Sequence, residues 1–165
     1  MTKDFLLRLT EEHYGAGAFP IYGRLLEEQR LTRSGPLLPM WYCTAALRRA
    51  FGGENVLVLG CTNNSLLAHL LGATPVNPLP PHYHCPNCRH LIFDAHADDG
   101  WDLPNLACPE CGAPMVADGH DLRSRSLIGE SVVSLQVPQE QFAPVCAWLR
   151  DYWAQRDCQT DTEPY

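Results

Sequence analysis

Two pairs of cysteines carry the clearest chemistry in this chain. Cys85-Pro86-Asn87-Cys88 and Cys108-Pro109-Glu110-Cys111-Gly112 are both Cys-x-x-Cys knuckles. A two-residue gap brings both sulfurs to one side of a tight turn, and two such turns supply four thiolates, enough to close a tetrahedral structural zinc site. Pro86 and Pro109 stiffen the turns, and Gly112 suits the left-handed position that often follows a second thiolate. Between the knuckles His90-Leu91-Ile92-Phe93 is strand-like, while Asp98-Asp99-Gly100 and Leu103-Pro104-Asn105 read as turns. This is the layout of a zinc ribbon. His82, His84, His90, His96 and His120 lie near it. Four cysteines complete the ligand set without them, so these histidines are expected on the surface. A closed four-thiolate site leaves no position for water, and the expected cofactor is one structural Zn²⁺ per chain, on Cys85, Cys88, Cys108 and Cys111.

A second stretch invites a different chemistry. Val56-Leu57-Val58-Leu59 is a short apolar run, expected to be a strand buried on both faces. Gly60-Cys61-Thr62-Asn63-Asn64-Ser65 follows, and Leu66 to Leu71 then reads as helix closed by Gly72. Such a turn opening a helix can hold phosphate through backbone N–H groups and the helix dipole, which makes Gly60, Asn63, Asn64 and Ser65 candidate nucleotide-binding residues. The commoner reading is an ordinary N-cap by Asn63, Asn64 or Ser65. The absence of Lys and Arg from Asn55 to Leu71 favours the cap.

The elements that must position these sites can be read from periodicity. Residues 1–19 suggest a helical turn or two and then a loop around Gly15-Ala16-Gly17. Helices are expected over 21–32, 40–51, 64–71 and 139–155, and strands over 55–59 and 131–137. Pro36 and Pro39 separate the second helix from the third, and Gly52-Gly53 stops the third. Asn77-Pro78-Leu79-Pro80-Pro81-His82-Tyr83 is a stiff, polyproline-like lead to the ribbon. The tail from Cys158 to Tyr165 is polar and expected to fray.

Composition limits the function classes. At 165 residues, 45% of them hydrophobic, the chain can form one cored domain with a small insertion. The apolar runs are too short to cross a membrane, and Met1-Thr2-Lys3-Asp4-Phe5 lacks a signal-peptide core. Thiolate knuckles without a secretion signal imply a reducing, cytoplasmic setting, with Cys43, Cys61, Cys146 and Cys158 as free thiols. The net charge is −7 and Lys3 is the only lysine. Affinity for nucleic acid comes largely from concentrated cations, so DNA binding is expected to be weak or absent.

The ribbon and its flanks resemble the palm region of PolC-type bacterial DNA polymerase III. The resemblance rests on Asn77-Pro78-Leu79-Pro80-Pro81-His82-Tyr83, Cys85-Pro86-Asn87-Cys88, Asp102-Leu103-Pro104, Cys108-Pro109-Glu110-Cys111-Gly112 and Asp118-Gly119-His120-Asp121. It is dense over residues 76–122 and extends in register over about 20–155. It implies an α/β (α+β) fold, a small polymerase-β-like nucleotidyltransferase palm with an inserted zinc ribbon. The implied division is a palm-like part over 1–81 and 121–157, the ribbon over 82–120 and a tail over 158–165. It further implies that the family's triphosphate-gripping turn falls on Leu57 to Ser65, where its arginine is missing. The family's two catalytic aspartates fall on Ser134 and Gln136.

Two-metal phosphoryl transfer needs clustered carboxylates, which neutral Ser and Gln cannot replace. The chain also stops before the place of the family's third carboxylate. The expectation is therefore a degenerate, truncated and catalytically inactive relative, a binding or accessory module working with replication or repair proteins. Two other readings stand beside it. One is a nucleotidyltransferase or polymerase subunit completed in trans. The other is a protein-interaction ribbon, unrelated to nucleotides, that uses Trp101.

Overall fold

The first helix is longer than its sequence suggests. In the computed structural model, which describes residues 2–32, 37–94 and 96–157, α1 spans Lys3–Tyr14, with Thr2 accepting the Phe5 N–H as its cap. Leu6, Leu9, Thr10 and Tyr14 form its buried stripe at helical spacing. The Gly15-Ala16-Gly17 loop leads to α2 (Phe19–Thr32), where Pro20 sits in the first turn. Next, α3 (Leu37–Phe51) begins before the expected residue 40, because Pro39 in a first turn removes only an N–H that has no intrahelical partner. Pro36 and the tail from Cys158 lie outside the described residues.

Strand β1 (Leu57–Leu59) corrects one expectation. Val58 is buried, but Leu57 and Leu59 are 47% and 45% exposed. A strand buried on both faces needs cover on both sides. Here the sheet has two strands, with β1 pairing antiparallel to β5 (Ser134–Gln136), and only one face packs on the helices. Strand β5 is shorter than the expected 131–137, and Ser131 and Val132 are exposed. After β1 a 3-10 turn covers Gly60–Asn64, and α4 (Leu66–Leu70) follows, one turn shorter than the helix expected over 64–71. The ribbon contributes β2 (His82–His84), β3 (Leu91–Phe93) and β4 (Val116–Asp118), antiparallel in the order β3-β2-β4. Helix α5 (Gln139–Asp157) ends the described chain. No helix among the described residues is long and apolar enough to cross a membrane.

Three apolar clusters hold these elements. The largest joins α1, α2, α3 and α4 through Leu6, Ile21, Leu25, Trp41, Leu66 and Leu67, all 0–1% exposed. A second, inside the ribbon, is small: Tyr83, Cys85, Leu103, Cys108 and Met115. The third places Val145 of α5 against Leu47 and Val56.

A polar joint fastens the ribbon to the helices. Asn77, 1% exposed, donates to the Tyr14 hydroxyl at 3.1 Å and to Asp118 Oδ2 at 2.8 Å, while its Oδ1 accepts the Leu79 N–H at 3.2 Å. Three backbone bonds close the neck, from His120 N–H to Asn77 O at 3.1 Å, from Leu122 N–H to Pro78 O at 3.0 Å and from Asp121 N–H to Leu79 O at 2.9 Å. Gly119 is required there. Its φ is +102°, and a Cβ would stand 2.4 Å from the Pro80 carbonyl oxygen.

The histidines at this joint are a further correction. His82 is fully buried and His84 half-buried, because β2 is the central strand of the ribbon sheet and faces Tyr14. His82 Nδ1 lies 2.8 Å from the Pro80 carbonyl oxygen, and its ring packs on Phe93. Burial lowers the pKa of His82 and, on α4, of His69, although Asp118 pulls both the other way. Both are therefore held neutral in the fold and take up protons more readily once unfolded. Their contribution to stability is complete above the ordinary histidine pKa of about 6.5, and it is lost as pH falls from there through the lowered folded values. Urea denaturation at pH 7.5 and pH 5 is expected to show a lower midpoint at pH 5, and His69→Gln should flatten that dependence. An unchanged midpoint would contradict the assignment.

Candidate metal centre and glycine turn

The two knuckles fold alike. Cys85 N–H donates to the His90 carbonyl and Arg89 N–H to the Cys85 carbonyl, both at 2.8 Å; Cys108 N–H donates to Ala113 and Gly112 N–H to Cys108, again at 2.8 Å. Each turn needs a left-handed residue after its second cysteine. Gly112 provides it with φ +74°, as its type leads one to expect, whereas the first knuckle uses Arg89 at φ +62°. A non-glycine residue there costs roughly 1 kcal/mol. Arg89 is anchored by Nη1 donating to the Glu11 carbonyl at 3.0 Å, with its Cβ against Gly15. That anchor ties the knuckle to α1, and spacing alone does not reveal it.

The four sulfurs all lie within 4.8 Å of one another and could hold a metal ion. Cys85 and Cys111 are 3.5 Å apart, as are Cys88 and Cys108. Four sulfurs about 2.3 Å from a shared centre would lie roughly 3.8 Å apart at tetrahedral corners, so the geometry fits zinc. The electrostatics favour a cation as well. The Ala113 N–H and then the Asn87 side chain draw the Cys111 thiol down to about 6, and the Cys88 N–H lowers Cys85. Cys88 moves the other way, up to about 12. The His90 N–H favours its thiolate, but desolvation and the sulfurs of Cys108, Cys85 and Cys111 outweigh it. Protein donors alone do not ionise the whole set, whereas a divalent cation would. Cys43, Cys61 and Cys146 are free thiols outside the cluster.

The glycine turn is organised by a residue far from it in sequence. Ser65 caps α4, its Oγ accepting the Ala68 N–H at 3.0 Å. The Leu66 and Leu67 N–H groups donate to the carboxylate of Glu28, at 2.9 and 3.0 Å. Ser65 Oγ donates to the same carboxylate at 2.9 Å, and Arg24 Nε at 2.8 Å. Glu28 is fully buried. An internal carboxylate therefore takes the N–H groups that could have received a phosphate. The candidate residues serve the turn itself. Asn63 Nδ2 donates to the Val58 carbonyl at 3.0 Å and Asn64 Nδ2 to Ser126 Oγ at 2.6 Å, and Gly60 adopts φ +75°. Arginine is absent from the turn, yet Arg24 Nη2 reaches the Asn64 carbonyl at 2.9 Å from α2.

The pairing of β1 with β5 sets this turn beside Ser134. Leu59 lies opposite Ser134 and Leu57 opposite Gln136, and all four side chains are on the exposed face. Trp101 on the ribbon is 84% exposed and packs edge-on against His120, whose Nδ1 lies 2.8 Å from Asp99.

No protein-family model matches the chain. Its sequence is similar to a segment of the DNA polymerase III PolC-type of Thermotoga petrophila, 49% identical over 72 residues, and to that of Bacillus subtilis, 47% over 72 residues; each alignment covers 42% of this chain and 5% of the relative. A longer alignment, 31% identical over 131 residues, relates 78% of the chain to 9% of the DNA polymerase III PolC-type of Ureaplasma parvum. The chain thus spans less than a tenth of the length of these relatives.

Proposed function

We propose that this chain, similar in sequence to one segment of PolC-type DNA polymerase III, is a zinc-holding palm-like protein without polymerase activity that serves as a binding or accessory module in DNA replication or repair. Its parts are a palm-like unit over 1–81 and 121–157 with the ribbon over 82–120 inserted. The zinc, bound to Cys85, Cys88, Cys108 and Cys111, is structural: it joins the two knuckles and leaves no open coordination position.

The observation that carries the inactive reading is the exposed face of the β1–β5 pair. It presents Leu57, Leu59, Ser134 and Gln136, none of them a carboxylate. Ser134 and Gln136 are the positions where the resemblance places metal-binding aspartates. Among the described residues, the cysteine cluster is the only group of three or more His, Cys, Asp or Glu side chains arranged to hold a metal ion. Two-metal transfer draws on paired divalent ions that stabilise both the attacking and the leaving oxygen. This face supplies no ligand for either. The helix that follows the glycine turn supports the same reading, since Glu28 takes the Leu66 and Leu67 N–H groups at its start.

Primer extension with Mg²⁺ or Mn²⁺ on the purified chain should give no product. Ser134→Asp combined with Gln136→Asp should also stay inactive, because the turn remains closed by Glu28 and losses on one step do not repair singly. Extension that follows the protein through purification and disappears on Ser134 substitution would overturn the inactive reading.

A further inference from the structure

Beyond the metal centre and the glycine turn, a cavity of about 370 Å³ opens between α2 and the 3-10 turn Ser124–Leu127. It is lined by Arg24, Glu27, Arg123, Ser124 and Arg125. We propose that it binds the phosphate of a phosphate ester.

The arginines converge from two elements. Arg24 is fixed in place: Nε donates to Glu28 at 2.8 Å, and Nη2 donates to the carbonyls of Asn64 at 2.9 Å and Leu122 at 2.8 Å. Among the described residues Nη1 has no such partner. Arg123 and Arg125 are exposed, and among the described residues their side chains make no hydrogen bond or ion pair. Buried Leu127 and Ser124 hold their backbone, and Ser126 Oγ donates to the Arg123 carbonyl at 3.0 Å. Two uncommitted guanidinium groups beside a third that is already oriented supply fork-shaped donors that an anion can draw together, Arg24 being the fixed member of the three.

Charge and shape narrow the ligand. Glu28 balances Arg24, so Arg123 and Arg125 against Glu27 leave one net positive charge, in a chain of net charge −7. A tetrahedral phosphate offers acceptors in several directions, which suits forks arriving from different elements; a planar carboxylate offers one plane. The volume lies within the roughly 300–1,000 Å³ of small-molecule sites and exceeds a bare phosphate. Glu27 opposes a bare anion but can accept from hydroxyl or amino groups on the ligand. These features favour an ester. The same chemistry is offered by a mononucleotide and by the backbone of single-stranded DNA.

The test is calorimetric titration of the zinc-loaded full chain at low salt with inorganic phosphate, a deoxynucleoside monophosphate and an oligothymidylate in parallel. The expected result is measurable binding of at least one ester. Arg123→Gln with Arg125→Gln should weaken it at least roughly tenfold, the scale of one charge-assisted hydrogen bond. Glu27→Gln should strengthen binding of inorganic phosphate, a sign that a purely structural role would not produce. Binding of the oligonucleotide alone identifies the backbone as the source, and binding of the monophosphate identifies a nucleotide. Both mutated arginines are exposed, so circular dichroism should show the variant folded. Binding of neither ester, whether or not inorganic phosphate binds, or binding indifferent to the double arginine substitution, would overturn the proposal. The primer-extension outcome is independent of it.

Discussion

Removing the metal, or one of its ligands by Cys88→Ser, is expected to unfold the ribbon and leave the helices standing. The strands β2, β3 and β4 are three residues each. The ribbon's buried cluster has five members, and two of them, Cys85 and Cys108, belong to the four-cysteine cluster that could hold the metal. So small a core cannot offset the entropy of ordering nearly 40 residues, at about 1–2 kcal/mol each. Structural zinc supplies about 10–16 kcal/mol of apparent free energy in finger peptides, enough to decide whether such a unit folds. The Leu6–Leu67 cluster draws its buried side chains from outside the ribbon, with Leu91 of β3 packing only at its edge. Elemental analysis should find one zinc per chain. After chelation, hydrogen exchange should accelerate across the ribbon strands while α2 and α4 stay protected. Absence of stoichiometric metal in protein purified without chelator, or unchanged protection after its removal, would refute the structural role.

The second large effect is expected at Glu28. Its carboxylate accepts from Arg24 Nε, Ser65 Oγ, Leu66 N–H and Leu67 N–H, with no exposure to solvent. Glu28→Ala leaves these donors buried and takes the partner from Arg24. Breaking a buried charge pair from one side costs about 3–5 kcal/mol. Glu28→Gln keeps the shape but loses the charge and turns one acceptor into a donor facing N–H groups, so it should recover only part of the loss. Chemical denaturation monitored by Trp41, buried in the same core, measures both. A loss under about 1 kcal/mol for the alanine variant would show that water or another group takes over the cap.

How far the sequence discloses these features depends on the range of the interactions. The knuckles are legible because all their determinants lie within a few residues, including the left-handed Gly112. The Ser65 cap is legible for the same reason. Glu28 is not: it meets Ser65 across 37 positions, and on α2 it reads as one of two surface acids. Val56 to Leu59 reads as a fully covered strand because an apolar run cannot disclose how many layers will flank it. His82 reads as a surface residue because its burial comes from Tyr14 and Phe93, which other segments deliver. Arg89 takes the glycine-like backbone that its knuckle imposes, and the bond that anchors its guanidinium comes from Glu11, 78 positions away.

The neck of the ribbon bears on how such a unit is acquired. The chain leaves the helical body at Asn77 and Pro78 and returns at His120 and Leu122, and the departing and returning segments are hydrogen-bonded to each other. Whatever is threaded between them, the body meets the same two chain ends at the same separation. Lengthening, shortening or exchanging the intervening stretch leaves the frame of α1 to α4 in register. The cost of exchange sits instead in side chains that join ribbon and body, among them Asn77 to Asp118 and Arg89 to Glu11. A graft would also have to supply the ribbon's share of the packing on the body, where Leu91 meets the helical core and His82 and His84 meet Tyr14, so the scaffold tolerates a new appendage only as far as that small face is matched.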